Sequence, residues 1–153
     1  MRLLALLLGL ALPACSGNGA EGVPVPPPID FSALVRPATA NTALAAPAGF
    51  RPPPDIVTRH YNVPPQQLYA AVRRVALAQP RSFAHIAYDD RLQAHFVARS
   101  AVFNFPDLIA VQVTPESDLI LWSRSVYGES DLGVNRKRLL AWLAALDTAL
   151  PAN

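Results

Sequence analysis

Between positions 66 and 79 the chain reads QQLYAAVRRVALAQ, with apolar residues recurring at Leu68, Val72, Val75 and Ala76. That spacing lays one buried stripe along an α-helix. Pro64-Pro65 marks its start, because the N–H that proline lacks has no partner in a first turn, and Pro80 closes it. A second stripe, Leu139, Leu143, Leu146 and Leu150, advances by four, three and four residues and predicts a terminal helix, read here as starting near Leu132. Ahead of the first helix, Ile56-Val57-Thr58 and Tyr61 form a β-prone run. Between the helices lie four more such runs: SFAHIAYD, QAHFVARSAVF, DLIAVQVT and DLILWSRSVY. Short polar turns, Asp89-Asp90-Arg91 and Pro115-Glu116-Ser117, permit antiparallel hairpins and are too short for parallel crossovers.

The expected order is therefore β-α-β-β-β-β-α, an α+β domain in which two helices cover one face of an antiparallel sheet of about five strands. This arrangement resembles TATA-binding-protein-like and helix-grip domains, a likeness of fold that carries no function.

The apolar share, 52% of 153 residues, exceeds what one core requires, and part of it belongs elsewhere. MRLLALLLGLALPAC has a basic start at Arg2 and an unbroken apolar run from Leu3 to Leu12, the layout of an export signal over residues 1–14. The run falls short of the about 20 residues that span a bilayer. The single cysteine, Cys15, stands where no disulfide explains it. Leu12-Pro13-Ala14-Cys15 resembles the lipobox of bacterial lipoproteins, with Pro13 in place of the usual small residue. The resemblance implies a diacylglycerol on Cys15 and, from Ser16, sorting to the periplasmic side of the outer membrane.

Residues 15–54, rich in proline and alanine (VPVPPPID, RPPPD), show no sustained apolar period and read as an extended tether ahead of a domain at 55–150. Without residues 1–14 the chain carries 12 basic residues (13 − 1) against 11 acidic, a net charge of +1. A nucleic-acid binder needs a clear basic excess, so that class is set aside. The expected partners are the membrane, through the lipid, and an envelope protein or a small anionic ligand.

The chemistry-bearing stretch is SRSVYGESDLGVNRKR at 123–138. With Leu139 at 0° and about 100° per residue, Asn135 falls at about 320°, Arg136 at about 60° and Lys137 at about 160°. Asn135 and Arg136 are thus expected on the buried face and Lys137 in solvent. A buried guanidinium needs a partner, and Asp131, a natural N-cap, and Asp107 are the candidates. On this reading the motif staples helix to sheet.

A second reading begins with charge. Arg136, Lys137 and Arg138 oppose the positive end of the helix dipole, so they suit a bound anion, with Arg124, Ser125, Ser130, Asp131 and Asn135 in the same site and Arg99-Ser100 adding donors. As an enzyme, the chain would centre on Arg124, Ser130, Asp131 and Arg136 with an anionic substrate. The two readings differ in whether the guanidinium groups are paired or converge on open space. Gly128 and Gly133 have phosphate-loop spacing, but Val134-Asn135 stands where Lys-Ser/Thr is required.

SDLGVNRKRLLAWLAAL, with FNFPD upstream, resembles the C-terminal signature of the bacterial and plastid family known as domain of unknown function 1499. The likeness covers about residues 55–150 and is most specific at Ser130–Arg138. Cysteines that often precede the domain in that family have no counterpart in RPPPDIVTRHYNV. The family implies the domain and no established activity. Elsewhere, His60, His85 and His95 lack metal-ligand spacing, no G-x-S-x-G elbow occurs, and no cofactor is indicated.

Overall fold

A computed structural model describes residues 17–150. The signal-like segment 1–14 and Cys15 lie outside the described residues. The fold is α+β: a six-stranded sheet in the order β2-β1-β6-β5-β4-β3, formed by β1 (Thr42–Ala46), β2 (Ile56–Val57), β3 (Ser82–Tyr88), β4 (Gln93–Arg99), β5 (Pro106–Val113) and β6 (Leu119–Ser125). Two helices, α1 (Pro65–Ala78) and α2 (Val134–Ala149), complete it. The strands from β3 to β6 follow the expected hairpins, and β1 joins antiparallel to β6. The β1–β2 pair is parallel, which corrects the expectation of an all-antiparallel sheet.

Strand alternation divides the core. Ala43 and Ala45 of β1, Phe96 of β4, Ile109 and Val111 of β5, and Leu119 and Leu121 of β6 point to one face. There they meet Leu68, Val72 and Val75 of α1 and Leu139, Trp142 and Leu146 of α2. Both helices thus cover one face, as their stripes predict.

Over its described part, residues 17–54, the tether reading of residues 15–54 does not match the structure. Residues 42–46 form an inner strand, buried because β2 and β6 flank it, and its small residues let α2 approach. Upstream, residues 17–36 lie as a strap across the second face of the sheet. Turns at Asn18–Val23 and Asp30–Leu34 bond within the strap, but Pro24–Pro28 between them run extended, a proline-rich conformation without internal hydrogen bonds. Carbonyl groups of the strap take donors from the strands instead. Arg99 Nε donates to Gly19 O (2.6 Å) and Nη2 to Glu21 O (2.7 Å). His85 Nε2 donates to Pro24 O (3.0 Å) and the Tyr88 hydroxyl to Pro26 O (2.6 Å). Gln93 grips Ile29 at both ends, accepting from its N–H (2.7 Å) and donating to its carbonyl (2.8 Å). Phe31, with Ile29, Leu34 and Phe50, then closes over Leu44, Ile120 and Trp122.

Candidate functional site

The signature stretch folds into a polar lock at the start of α2. Val126–Gly133 leaves β6 through Gly128 (φ 84°) and Gly133 (φ 80°), both in the left-handed region open to glycine. Gly133 caps α2, and Asp131 bridges the first turn, accepting from Gly133 N–H (2.9 Å) and Asn135 N–H (2.7 Å). Asn135 is fully buried. Its amide donates to Asn41 O (2.9 Å) and Ser125 Oγ (3.0 Å), so it joins α2, β6 and the segment entering β1. Its carbonyl accepts from Ser123 Oγ and from Arg138 Nη1 (2.8 Å). Arg138 also donates to Ser123 Oγ (3.0 Å) and forms an ion pair with Asp107 on β5 at 2.6 Å. The side chains of that pair are 13% and 9% exposed, which makes it nearly a core interaction.

The structure corrects the predicted cation. Arg136 is exposed, and Arg138 is the guanidinium that turns inward onto Asp107. Two features moved the assignment. Leu132, used as a helical position, lies before the helix with φ 52° and is 89% exposed. Trp142, buried at about 300° on the same wheel, shifts the apolar arc toward Arg138. Helical side chains lean toward the N-terminus, which carries the Arg138 stem back over Ser123 to Asp107. Asn135 and Lys137 lie as the wheel places them, the first buried and the second exposed. Asp131 serves the helix start and does not pair with the buried arginine.

Nor do the other proposed anion contacts converge. Ser130 is exposed, forming an isolated bridge to Ala40 while its Oγ faces Leu132 N–H at 3.5 Å. Ser125 Oγ belongs to the lock. Arg99 holds strap carbonyls on the opposite face, and Ser100 Oγ accepts from Phe105 N–H (2.9 Å) within its own loop. Arg124 alternates away from Ser123 and Ser125, so it too stands on the strap face, apart from Arg136 and Arg138.

A groove opens beside Arg124. It has a volume of about 400 Å³ and is lined by Val23–Pro27 of the strap and by Leu108, Arg124, Ser125 and Val126 of the sheet. The guanidinium sits 5.0 Å from the centre of the Trp122 ring, and among the described residues it has neither a hydrogen bond nor an ion pair. Burial holds its pKa below the ordinary arginine value. A half-buried cation in a largely apolar trough attracts a complementary anion more strongly than an exposed one does.

His60 pairs with Asp118 (3.1 Å), whereas His85 and His95 lie on the strap face. Among the described residues no three metal-ligating side chains are grouped.

Sequence reasoning missed Asn41, Ser123 and the role of Arg138. A signal for Ser123 was present: it is a polar residue on the apolar phase of its strand, in step with Leu119-Leu121, as Asp107, named as a partner from the sequence, is with Ile109-Val111. Asn41 had no such signal, since its segment lacks periodicity. No curated protein matches the chain. The sequence profile described as protein of unknown function (DUF1499) matches residues 30–146, starting within the strap and taking in every strand, α1, the lock and α2 as far as Leu146, and the chain belongs to that family.

Proposed function

We propose that the chain is an exported, lipid-anchored module of the cell envelope, attached through Cys15 on the periplasmic side of the outer membrane, and that its domain binds a small anionic ligand without catalysing a reaction. The observation that carries the binding part is Arg124, a cation without a polar partner among the described residues, set in an apolar groove. The groove is within the size range of small-molecule sites, about 300–1,000 Å³. Its lining of Val23, Pro24, Val25, Leu108 and Val126 suits an apolar body, and Arg124 suits a carboxylate or phosphate at one end. Within the signature, Asp131, Asn135 and Arg138 serve as the staple, because their polar groups are spent on the helix start, the adjoining strands and one another. The anchoring part is supported by the leader-like residues 1–14 and by Cys15 at their boundary. No described helix is long and apolar enough to cross a membrane.

Octanoate, an eight-carbon carboxylate, is a suitable probe for the full chain. It is expected to raise the Tm in a concentration-dependent way, as a ligand of the native state must, whereas octanol, with the same tail and no charge, leaves it unchanged. Arg124→Gln abolishes the shift and Lys137→Ala retains it. An equal shift in Arg124→Gln, or none in the natural chain, overturns the reading.

A further inference from the structure

We infer that the β4–β5 loop, residues 100–105, is a membrane-contacting tip that enters the interfacial layer of the bilayer beside the lipid anchor. The inference rests on the lipoprotein reading of Cys15. The loop exposes Val102 (82%), Phe103 (68%) and Phe105 (42%). Single exposed apolar residues are ordinary, but three within one short loop mark a contact surface. Phe103 and Phe105 stack at 5.5 Å, and Tyr127 of the neighbouring β6–α2 connection approaches Phe105 at 6.3 Å. The result is an aromatic cap at one end of the sheet, of the kind that favours the boundary between headgroups and acyl chains.

The place where the chain enters the fold selects the occupant. Asn104, within the loop, donates from Nδ2 to Gly17 O at 3.0 Å. Arg99, at the base of the loop, donates to Asn104 O (3.1 Å) and to Gly19 O. The first described residue is therefore fastened to the loop itself. Cys15 precedes Gly17 by two residues, a reach of at most about 7 Å. A strap bonded to the sheet leaves no long tether between lipid and domain, so an acylated Cys15 sets this end of the sheet, and no other, against the bilayer. Arg81, bonded to Asn104 Oδ1 at 2.6 Å, and the exposed Arg136 and Lys137 lie at the same end, with Glu129 as an exposed acid among them. The tip therefore has cations at hand for lipid phosphates.

The test uses the full chain, processed in a bacterial envelope and reconstituted into vesicles of phosphatidylethanolamine and phosphatidylglycerol. Val102→Cys is labelled with bimane, and Glu116→Cys, at the opposite end of the sheet, is the control. A thioether-linked lipid on Cys15 leaves one reactive thiol per variant, so label stoichiometry and intact mass report on anchoring independently of the loop. The expected result is quenching of the label at 102 by doxyl-bearing lipids, at a depth of about 5–10 Å, with the label at 116 unaffected. A lipidated chain whose label at 102 is as open to aqueous iodide as that at 116 overturns the membrane tip while leaving the anchor in place. A label shielded from iodide yet untouched by doxyl lipid means that protein covers the loop, and also overturns it. Two reactive thiols and no added lipid mass overturn the anchor, and the tip with it.

Discussion

Arg138 Nη2 lies 2.6 Å from Asp107 Oδ2, across the junction of α2 with β5, and the same guanidinium reaches Ser123 and the Asn135 carbonyl. Its second nitrogen therefore closes a network that holds the helix start to two strands. Removing one member of a nearly buried ion pair leaves the other charge desolvated. Arg138→Met is expected to lower the unfolding free energy by about 3 kcal/mol, and Arg136→Met to change it by less than about 0.5 kcal/mol. The double variant Arg138→Met/Asp107→Leu recovers part of the loss, since no orphaned charge remains. Urea unfolding of the four proteins checks this, and equal effects at 136 and 138 count against the lock.

Gln93 is the corresponding clamp on the second face. Its side chain bonds Ile29 N–H and C=O and donates to Gln112 Oε1 (2.7 Å). Gln93→Leu keeps much of the volume and strips these bonds, at an expected cost of about 2–3 kcal/mol. The strap should also become the first site of proteolytic cleavage, within residues 23–36. Unchanged resistance of that segment shows that the strap is held by other means.

His95 is expected to make stability depend on pH. It is buried, with its Nε2 donating to Gln93 Oε1 (3.0 Å) and Tyr88 meeting its ring edge-on. Burial, with smaller contributions from His85 and Arg124, lowers its pKa from 6.5 to about 4. Between those values the unfolded chain takes up a proton that the folded chain does not, so stability falls as pH drops through this window. The full loss, reached below the folded value, is about 3 kcal/mol. His95→Gln should flatten the slope between pH 6.5 and 4 in denaturant titrations, and an unaltered slope assigns it to other groups.

Asp131 acts on α2 alone. It accepts two backbone N–H groups where the helix dipole is positive. Asp131→Ala is expected to cost about 1 kcal/mol, and Asp131→Asn less, because the amide oxygen still accepts. Thermal unfolding distinguishes the pair. A loss as large as that of Arg138→Met would place Asp131 inside the lock.

What could be read from the sequence follows the physics of each segment. The stripes of α1 and α2 and the hairpins from β3 to β6 are set by local periodicity and short turns, and they appear in the structure. β1 was illegible because TALAA has neither strong β-formers nor alternation. It is a strand because β6 and β2 supply its ladder and because small residues fit beneath α2. The strap was illegible for a related reason, since a proline-rich segment looks the same whether water or Arg99, His85, Tyr88 and Gln93 satisfies its carbonyls. Within the signature, Asn135 was placed correctly from its angle on the wheel. Asp107 was legible as a partner, but for Arg136: Leu132, which lies outside the helix, turned the wheel away from Arg138, and the buried Trp142 turns it back. The groove at Arg124 depends on the strap and was equally out of reach.

The sheet's first strand in the chain pairs with its last, Leu44 facing Trp122, and β6 in turn separates β1 from β5. No N-terminal fragment can therefore close this sheet: until Ser125 has been synthesised, β1 has only the two-residue β2 beside it. Such long-range closure is slow relative to hairpin formation. The chain must stay incomplete until its final third is present, a delay that suits any route on which folding has to wait for delivery.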